Sequence, residues 1–379
     1  MTGPTYPAAR AVSAAVRAHF AECLAAARDR GEREVGPEPD EATIEQITSA
    51  AFWASLRREE GRSPKISLAY LPPERAGEPL TFGRRFPLEP GILTRLAPAV
   101  ERPGIHIGVW HDGGELCVWG TTRAVPPSCL VLEVVEPGLL VIKRRRGPEG
   151  GKYANVAVLH GDQVKVVDED GGDLPRSAPL IASLLGFGSP RSWTDPVNVV
   201  VQLAVSMRAH GHGGSLLVVP EGSRTWHESI LPPVPYPVTP PFSELARLLR
   251  RESEEQRRPL WRESIRSAVA AVAGLTAVDG ATVITDSYQL LAFGAKIGRP
   301  AASAPVERVV VVEPVQGARA EVVDAAQLGG TRHLSAAQFV HDQRDALALV
   351  ASQDGRFTVF AWLPGEEMVH AHRVEALLL

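Results

Sequence analysis

Val278-Asp279-Gly280-Ala281-Thr282-Val283-Ile284 decides how the second half of this chain is read. Upstream, residues 260–275 carry an apolar stripe of Ile265, Ala268, Val269 and Val272, the period of a helix that buries one face. That helix is expected to end near Gly274 and to deliver the chain through the Asp-Gly pair into a strand. A return is expected at Leu290-Leu291-Ala292-Phe293-Gly294-Ala295-Lys296-Ile297.

Ahead of this unit, an amphipathic helix over 197–209 leads through His210-Gly211-His212-Gly213-Gly214 into an apolar strand over 215–220. Two histidines at i, i+2 admit a metal reading, but no third ligand lies nearby in sequence. A turn in which glycines bring helix and strand close is the simpler account. Residues 231–241 hold six prolines and are expected to form an extended excursion, not a regular element, before a helix over 243–251. Downstream, Gly329-Gly330-Thr331-Arg332-His333 precedes a short helix whose start is expected at a capping box of Ser335 and Gln338. Residues 345–352 read as an apolar strand ending in Ser352-Gln353-Asp354-Gly355.

The N-terminal half has another texture. Residues 9–27 and 41–57 are helical by periodicity, with a break at Gly36-Pro37-Glu38-Pro39-Asp40. Short β-rich segments follow at 66–71, 105–110, 116–120, 130–135 and 139–143, joined by turns such as Asp112-Gly113-Gly114 and Glu136-Pro137-Gly138. Such tight connections favour an antiparallel sheet. Lys143-Arg144-Arg145-Arg146 ends the last of these strands, either as a contact for a phosphate or acidic partner or as a solvated strand end.

The fold class expected is therefore α+β / α/β in two domains. Residues 1–190 form a helical (1–60) plus antiparallel-sheet (65–170) module, and residues 195–379 a mixed sheet flanked by helices.

Composition narrows the function. A chain of 379 residues, 44% hydrophobic, is long enough for two or three packed domains. A net charge of -4 argues against general nucleic-acid binding, which draws on an excess of Lys and Arg. Cys23, Cys117 and Cys129 are too scattered for a disulfide framework or a zinc site. Met1 to Val12 lack a basic leader with an apolar core, and no window approaches the ~18 consecutive apolar residues of a membrane span. A cytoplasmic protein without a membrane partner is expected, and the Ala, Arg, Pro and Gly usage hints at a GC-rich bacterial genome.

Together, Asp279-Gly280-Ala281 and Gly330-Thr331-Arg332-His333 resemble the two nucleotide-binding motifs of diadenylate cyclase domains, an Asp-Gly-Ala and a Gly-Thr-Arg-His-Arg. The return over 290–297 is similar to that family's Ala-x-Gly-Ala. The strand over 345–352 is similar to one that begins Asp-Ala and ends in a Ser-Glu-Glu-type turn, with Ser352 matching and Asp354 standing where one acid stands. The likeness covers about residues 197–363. It departs at Leu334, where the family has Arg, and at Gln353, where it usually has Glu. The following helix also differs, reading Gln338-Phe339-Val340-His341-Asp342 where the family has Gly-x-Ser-Glu. The whole layout resembles bacterial proteins with a sensor domain of the DACNV type ahead of a diadenylate cyclase domain.

The resemblance implies a divalent-metal-dependent (Mg or Mn) condensation of two ATP molecules to cyclic di-AMP, regulated by the N-terminal domain. Asp279 would hold the metal and help activate a 3′-hydroxyl, with His333 as the second catalytic residue and Asp354 as a further metal ligand. Gly280, Ala281, Gly330, Thr331, Arg332 and Ser352 would contact the nucleotide. One domain would hold one ATP, so a face-to-face dimer or larger homo-oligomer is implied. Leu334 removes one charge-assisted contact, worth ~1.5–3 kcal/mol, or roughly ten- to a hundredfold in rate. The alternative is a catalytically degenerate nucleotide-binding sensor or regulatory protein. Blander still is a scaffold in which the Asp-Gly pair is an ordinary turn and Thr331-Arg332-His333 an incidental helix start.

Overall fold

The structure, a computed structural model, describes residues 5–32, 34–146, 153–167, 199–250 and 259–379. The chain divides into two compact units, Met1–Asp168 and Glu169–Leu378. The junction expected at 190–195 lies outside the described residues.

In the first unit, helices Pro7–Asp29 and Glu41–Ser55 pack on one face of a sheet with eight strands among the described residues. A proline opens the first helix, where its missing N–H costs nothing. Asp40 caps the second, its Oδ1 accepting from the Thr43 amide at 2.7 Å. Val12, Val16, Phe20, Ile44 and Ile47 are buried against Leu68, Ile107, Leu132 and Ile142 of the sheet.

The strands are β1 (Ile66–Tyr70), β2 (Leu80–Pro87), β3 (His106–Asp112), β4 (Glu115–Thr122), β5 (Leu130–Glu136), β6 (Leu139–Arg145), β7 (Tyr153–His160) and β8 (Gln163–Val166). They lie in the order β2-β4-β3-β1-β5-β6-β7-β8. Every neighbouring pair is antiparallel except β1 with β3, where the sequence reading expected no parallel pairing. The chain leaves β1 to build β2 and the helix Pro90–Leu96 before returning as β3, a crossover long enough to restore the strand direction. Lys143 is not a solvated strand end: its Nζ stands 2.5 Å from Glu133, and its side chain is 11% exposed.

The second unit is built on a mixed sheet covered on both faces. Its strands are β9 (Gly214–Val219), β10 (Tyr236–Phe242), β11 (Ala281–Thr285), β12 (Leu290–Ala295), β13 (Arg308–Val312), β14 (Glu321–Asp324), β15 (Leu347–Ala351), β16 (Phe357–Leu363) and β17 (Met368–Arg373). Their order is β10-β12-β11-β9-β15-β16-β17-β13-β14, with β9–β11 and β13–β17 the parallel pairs.

Alternation along each strand sends successive side chains to opposite layers. In β15, Leu347, Leu349 and Ala351 join the core under the helices Val199–Ala209, Glu244–Leu249 and Pro259–Leu275. Ala348 and Val350 join the core under the helix Thr331–Asp342, with Phe339, Val340 and Phe360. A sheet buried on both faces explains why β9, β11 and β15 read as unbroken apolar runs.

Two expectations change here. Part of the proline-rich 231–241 segment is a strand after all: β10 pairs with β12 at Tyr236↔Phe293, Pro237↔Ala292 and Phe242↔Leu290, with a register shift between. It lies at the edge of the sheet, where a missing N–H need not break a ladder. The helix expected at Ser335 begins one turn earlier, at Thr331, with Gly330 at its cap position. Gln338 ties down a loop instead, accepting from the Val306 amide at 2.9 Å and donating to the Ala304 carbonyl at 3.1 Å. Among the described residues no helix is long and apolar enough to cross a membrane.

Candidate functional site

Four strands of the second unit end at a common rim. Ala281 of β11 is in register with Ala295 of β12 on one side and with Ser215 of β9 on the other, and Ser215 is in register with Val350 of β15. In-register partners share a sheet face, so this row floors a cleft of about 520 Å³ beside the start of the helix Thr331–Asp342. That volume lies within the ~300–1,000 Å³ usual for small-molecule sites.

One wall of the cleft is delivered by the helix Pro259–Leu275. The helix ends in a turn in which the Thr276 hydroxyl donates to the Ala273 carbonyl at 2.6 Å, and His210 Nε2 meets the same hydroxyl at 3.1 Å. Gly214 lies so close that a β-carbon there would stand 2.5 Å from the Thr276 carbonyl oxygen. This staple sets Asp279 at the mouth of β11, exposed and lining the cleft. Gly280 has φ +103°, and a β-carbon on it would come within 2.4 Å of the Gly294 carbonyl carbon. Only glycine lets β11 and β12 close on each other here. Among the described residues the Asp279 carboxylate has neither a hydrogen bond nor an ion pair.

The opposite wall is the first turn of the helix Thr331–Asp342. No side chain caps its amides, which point with the positive end of the helix dipole into the space lined by Gly330, Thr331, Arg332 and His333. The Arg332 guanidinium is exposed and has no carboxylate partner among the described residues. His333 is 6% exposed, edge-on to Phe360 and packed over Gly329. Burial lowers its pKa first; Asp354 raises it, and Arg373, Arg356 and Arg332 lower it further. The imidazole is thus neutral near pH 7, an acceptor or ligand and not a cationic clamp.

Ser352 closes the third side, at the end of β15. Its turn is anchored twice: Arg208 Nε donates to the Gly355 carbonyl at 2.9 Å, and Gln353 Nε2 to the His212 carbonyl at 3.3 Å. Asp354 is held in the same turn. A hydrogen bond from Ser352 is the largest influence keeping its carboxyl below the usual range, and Arg356 Nε stands 3.2 Å from it. It does not line the cleft.

Asp279, Gly280, Ala281, Gly330, Thr331, Arg332, His333 and Ser352 therefore line one cavity, while Asp354 stands in the adjoining turn. Leu334 is 41% exposed and does not line the cavity. The cleft also takes in residues to which no site role was assigned from sequence, chiefly Lys296 and Ser215. Lys296 sits inside the return stretch already singled out. The signal available was a lone cation closing an otherwise apolar strand.

The histidines ahead of β9 are committed to local structure. His210 Nδ1 accepts from the His212 amide at 3.1 Å while its Nε2 meets Thr276, and Gly211 and Gly213 both have φ +68°. Among the described residues no three His, Cys, Asp or Glu side chains gather as a metal site. A Mg²⁺ ion, however, is ordinarily held by one or two carboxylates together with substrate phosphates. One free carboxylate facing two cations and a helix N-terminus fits a cation that arrives with its nucleotide, and does not fit a resident ion.

Residues 33–123, from before the helix Glu41–Ser55 through β4, match the family model described as "Probable sensor domain DACNV". No curated protein matches the chain. The matched segment lies wholly within the first unit, so the chain carries a sensor-type region there and, in its other unit, the cleft just described.

Proposed function

We propose that the cleft of the second unit binds ATP with a divalent cation and that two such protomers, face to face, join two ATP molecules into cyclic di-AMP under control of the first unit. The observation that carries this reading is the meeting of Asp279, Thr331, Arg332, His333 and Ser352, from three separate stretches of chain, around one cavity.

The chemistry asked of the residues is modest. The bare amides of Thr331 and Arg332, the Arg332 fork and the Lys296 ammonium would hold the phosphates. Gly280 and Ala281 would give a nucleoside a wall of backbone with no side chain larger than a methyl. Asp279 and Mg²⁺ or Mn²⁺ would share the 3′-hydroxyl, the cation lowering its pKa. Each 3′-oxygen forms a bond to the α-phosphorus of the opposing ATP as the bond to pyrophosphate breaks, and the hydroxyl proton leaves through Asp279 to solvent. Neutral His333 would orient a phosphate oxygen or a metal-bound water. Two halves are needed because each cleft presents a single set of these groups.

The direct test is to incubate the pure protein with ATP and Mn²⁺ and look for cyclic di-AMP by mass spectrometry. Bound ATP without product at high protein concentration would sink the enzymatic reading.

A second reading draws on Leu334 and Asp354. An apolar residue outside the cleft and a carboxylate already engaged by Arg356 leave Asp279 as the one acid lining the cavity among the described residues. On this reading the unit binds a nucleotide as a regulatory signal without turning it over. It is favoured if ATP or cyclic di-AMP raises the melting temperature while no product forms.

A further inference from the structure

We propose that the first unit carries its own ligand site, for a small organic anion with an apolar body, at the edge of its sheet. β2 is the terminal strand, and the helix Pro90–Leu96 follows it directly. Arg84, Arg85 and Arg95 line a cleft of about 550 Å³ together with Phe86, Ile92 and Leu96. A second hollow of about 470 Å³ shares Arg84, Phe86 and Leu96 and adds Phe82. Both lie within the segment that matches the sensor family.

The charge balance points to the ligand. Elsewhere in this unit the arginines of the helices are matched: Arg10 with Glu45, Arg17 with Glu41, Arg28 with Glu38. Arg84, Arg85 and Arg95 have no acidic partner among the described residues, and no Asp or Glu lines their cleft. Arg84, Arg85 and Arg95 are all exposed on this cleft, so an anion seated in it would meet positive charge from three side chains. A guanidinium fork suits a carboxylate, sulfonate or phosphate, which it meets with two parallel hydrogen bonds.

The floor supplies the other half of the recognition. Phe82 and Phe86 meet edge to face at 6.0 Å, and the Arg84 guanidinium already lies 4.8 Å over the Phe86 ring. With Ile92 and Leu96 they offer an apolar bed that an inorganic ion would leave empty. The occupant is therefore an aryl or acyl anion of drug-like size. This site is independent of the nucleotide reading of the other unit.

The full-length protein is titrated with 8-anilinonaphthalene-1-sulfonate and, in parallel, with N-phenyl-1-naphthylamine, which has the same rings but no anion. The sulfonate should bind saturably. The Arg84→Gln/Arg95→Gln pair should weaken it about tenfold or more, while the neutral amine changes less than about twofold. Arg84→Lys/Arg95→Lys keeps the charge but loses the fork, so at an unchanged melting temperature it should bind the sulfonate more weakly than the parent and more tightly than the Gln pair. Arg332→Ala, in the other unit, should leave sulfonate binding intact. Decanoate and phenyl phosphate are then used as competitors to separate acyl from aryl ligands, and displacement by either supports the site. Sulfonate binding indifferent to the Gln pair, equal loss of both probes, or displacement by neither competitor would overturn it.

Discussion

A β-carbon on Gly213 would stand 2.9 Å from Nη1 of Arg332, so the turn before β9 and the first turn of the helix Thr331–Asp342 are shaped to each other. Gly213→Ala should push the guanidinium aside and also incur about 1 kcal/mol for a side chain at φ +68°. Gly211→Ala carries the same φ with nothing within 4 Å of the new carbon. Gly213→Ala should lose more melting temperature than Gly211→Ala, because its new carbon also stands 3.2 Å from the Ala351 carbonyl oxygen, and only Gly213→Ala should weaken ATP binding, by several-fold in calorimetric titration. Equal binding by the two would show that Arg332 does not reach the nucleotide.

Asp279→Asn keeps the shape of the mouth of β11 and removes its charge. Because Asp279 is exposed and unpaired among the described residues, folding stability should change by less than about 0.5 kcal/mol. Cyclic di-AMP formation should fall by about a hundredfold or more, and the benefit of Mn²⁺ for ATP binding should shrink. Turnover within a few-fold of the parent would remove Asp279 from the chemistry.

Leu334→Arg tests the most visible departure from the resembling family. The side chain is 41% exposed at the fourth residue of the helix, so the longer guanidinium meets no packing obstacle and stability should hold within about 0.5 kcal/mol. Placed within a turn of Arg332, the added charge should raise ATP affinity by up to about tenfold, an effect that fades at high salt. An affinity unmoved at low salt would mean that residue 334 faces away from the phosphates in the bound state as well.

Two buried histidines make the fold sensitive to acid. His106 lies between the Ser67 hydroxyl (2.7 Å) and the Tyr153 hydroxyl (2.9 Å); burial, reinforced by Arg145 and Lys143 against Glu133, lowers its pKa to about 4. His372 falls to about 4 through burial and then His370. Both folded values lie below the unfolded value of about 6.5, so the unfolded chain binds the protons more readily. Stability is therefore full above about pH 6.5 and declines as pH falls toward 4. At pH 5 each histidine accounts for roughly 2 kcal/mol. Urea unfolding at pH 7.5 and 5 should show this loss, and His106→Gln should flatten its share. An unchanged difference in that variant would assign the acid sensitivity elsewhere.

Much of this architecture is legible in the residues, and the misses have physical causes. Helices such as Glu41–Ser55 and Pro259–Leu275 bury one stripe each and announce themselves by period. β2 gives no sequence signal, because an exposed edge strand, Leu-Thr-Phe-Gly-Arg-Arg-Phe-Pro, has no buried face to impose alternation. β10 was hidden by its prolines. Ser335 and Gln338 fit a capping pattern one turn inside the helix Thr331–Asp342, whereas the cap is Gly330, which has no side chain to signal it.

Ser215 carries no motif, and Lys296 only closes the return stretch without a chemical pattern of its own. Only strand register brings a lone serine of β9 and a cation beyond β12 to the rim where Asp279 ends its turn. Loops that bear their chemistry within a few residues can be read from sequence; a wall assembled from neighbouring strands cannot.

The proline-bearing strand β10 closes one edge of the second unit's sheet to strand addition. Pro237, Pro240 and Pro241 have no N–H to offer a further strand, so this border of the second unit's sheet is a poor template for growing a longer sheet through a neighbouring molecule. Self-association that lined up strand against strand here would bury unmatched carbonyls. The prolines of β10 thus protect one edge of the sheet from strand addition, at the border farthest from β14.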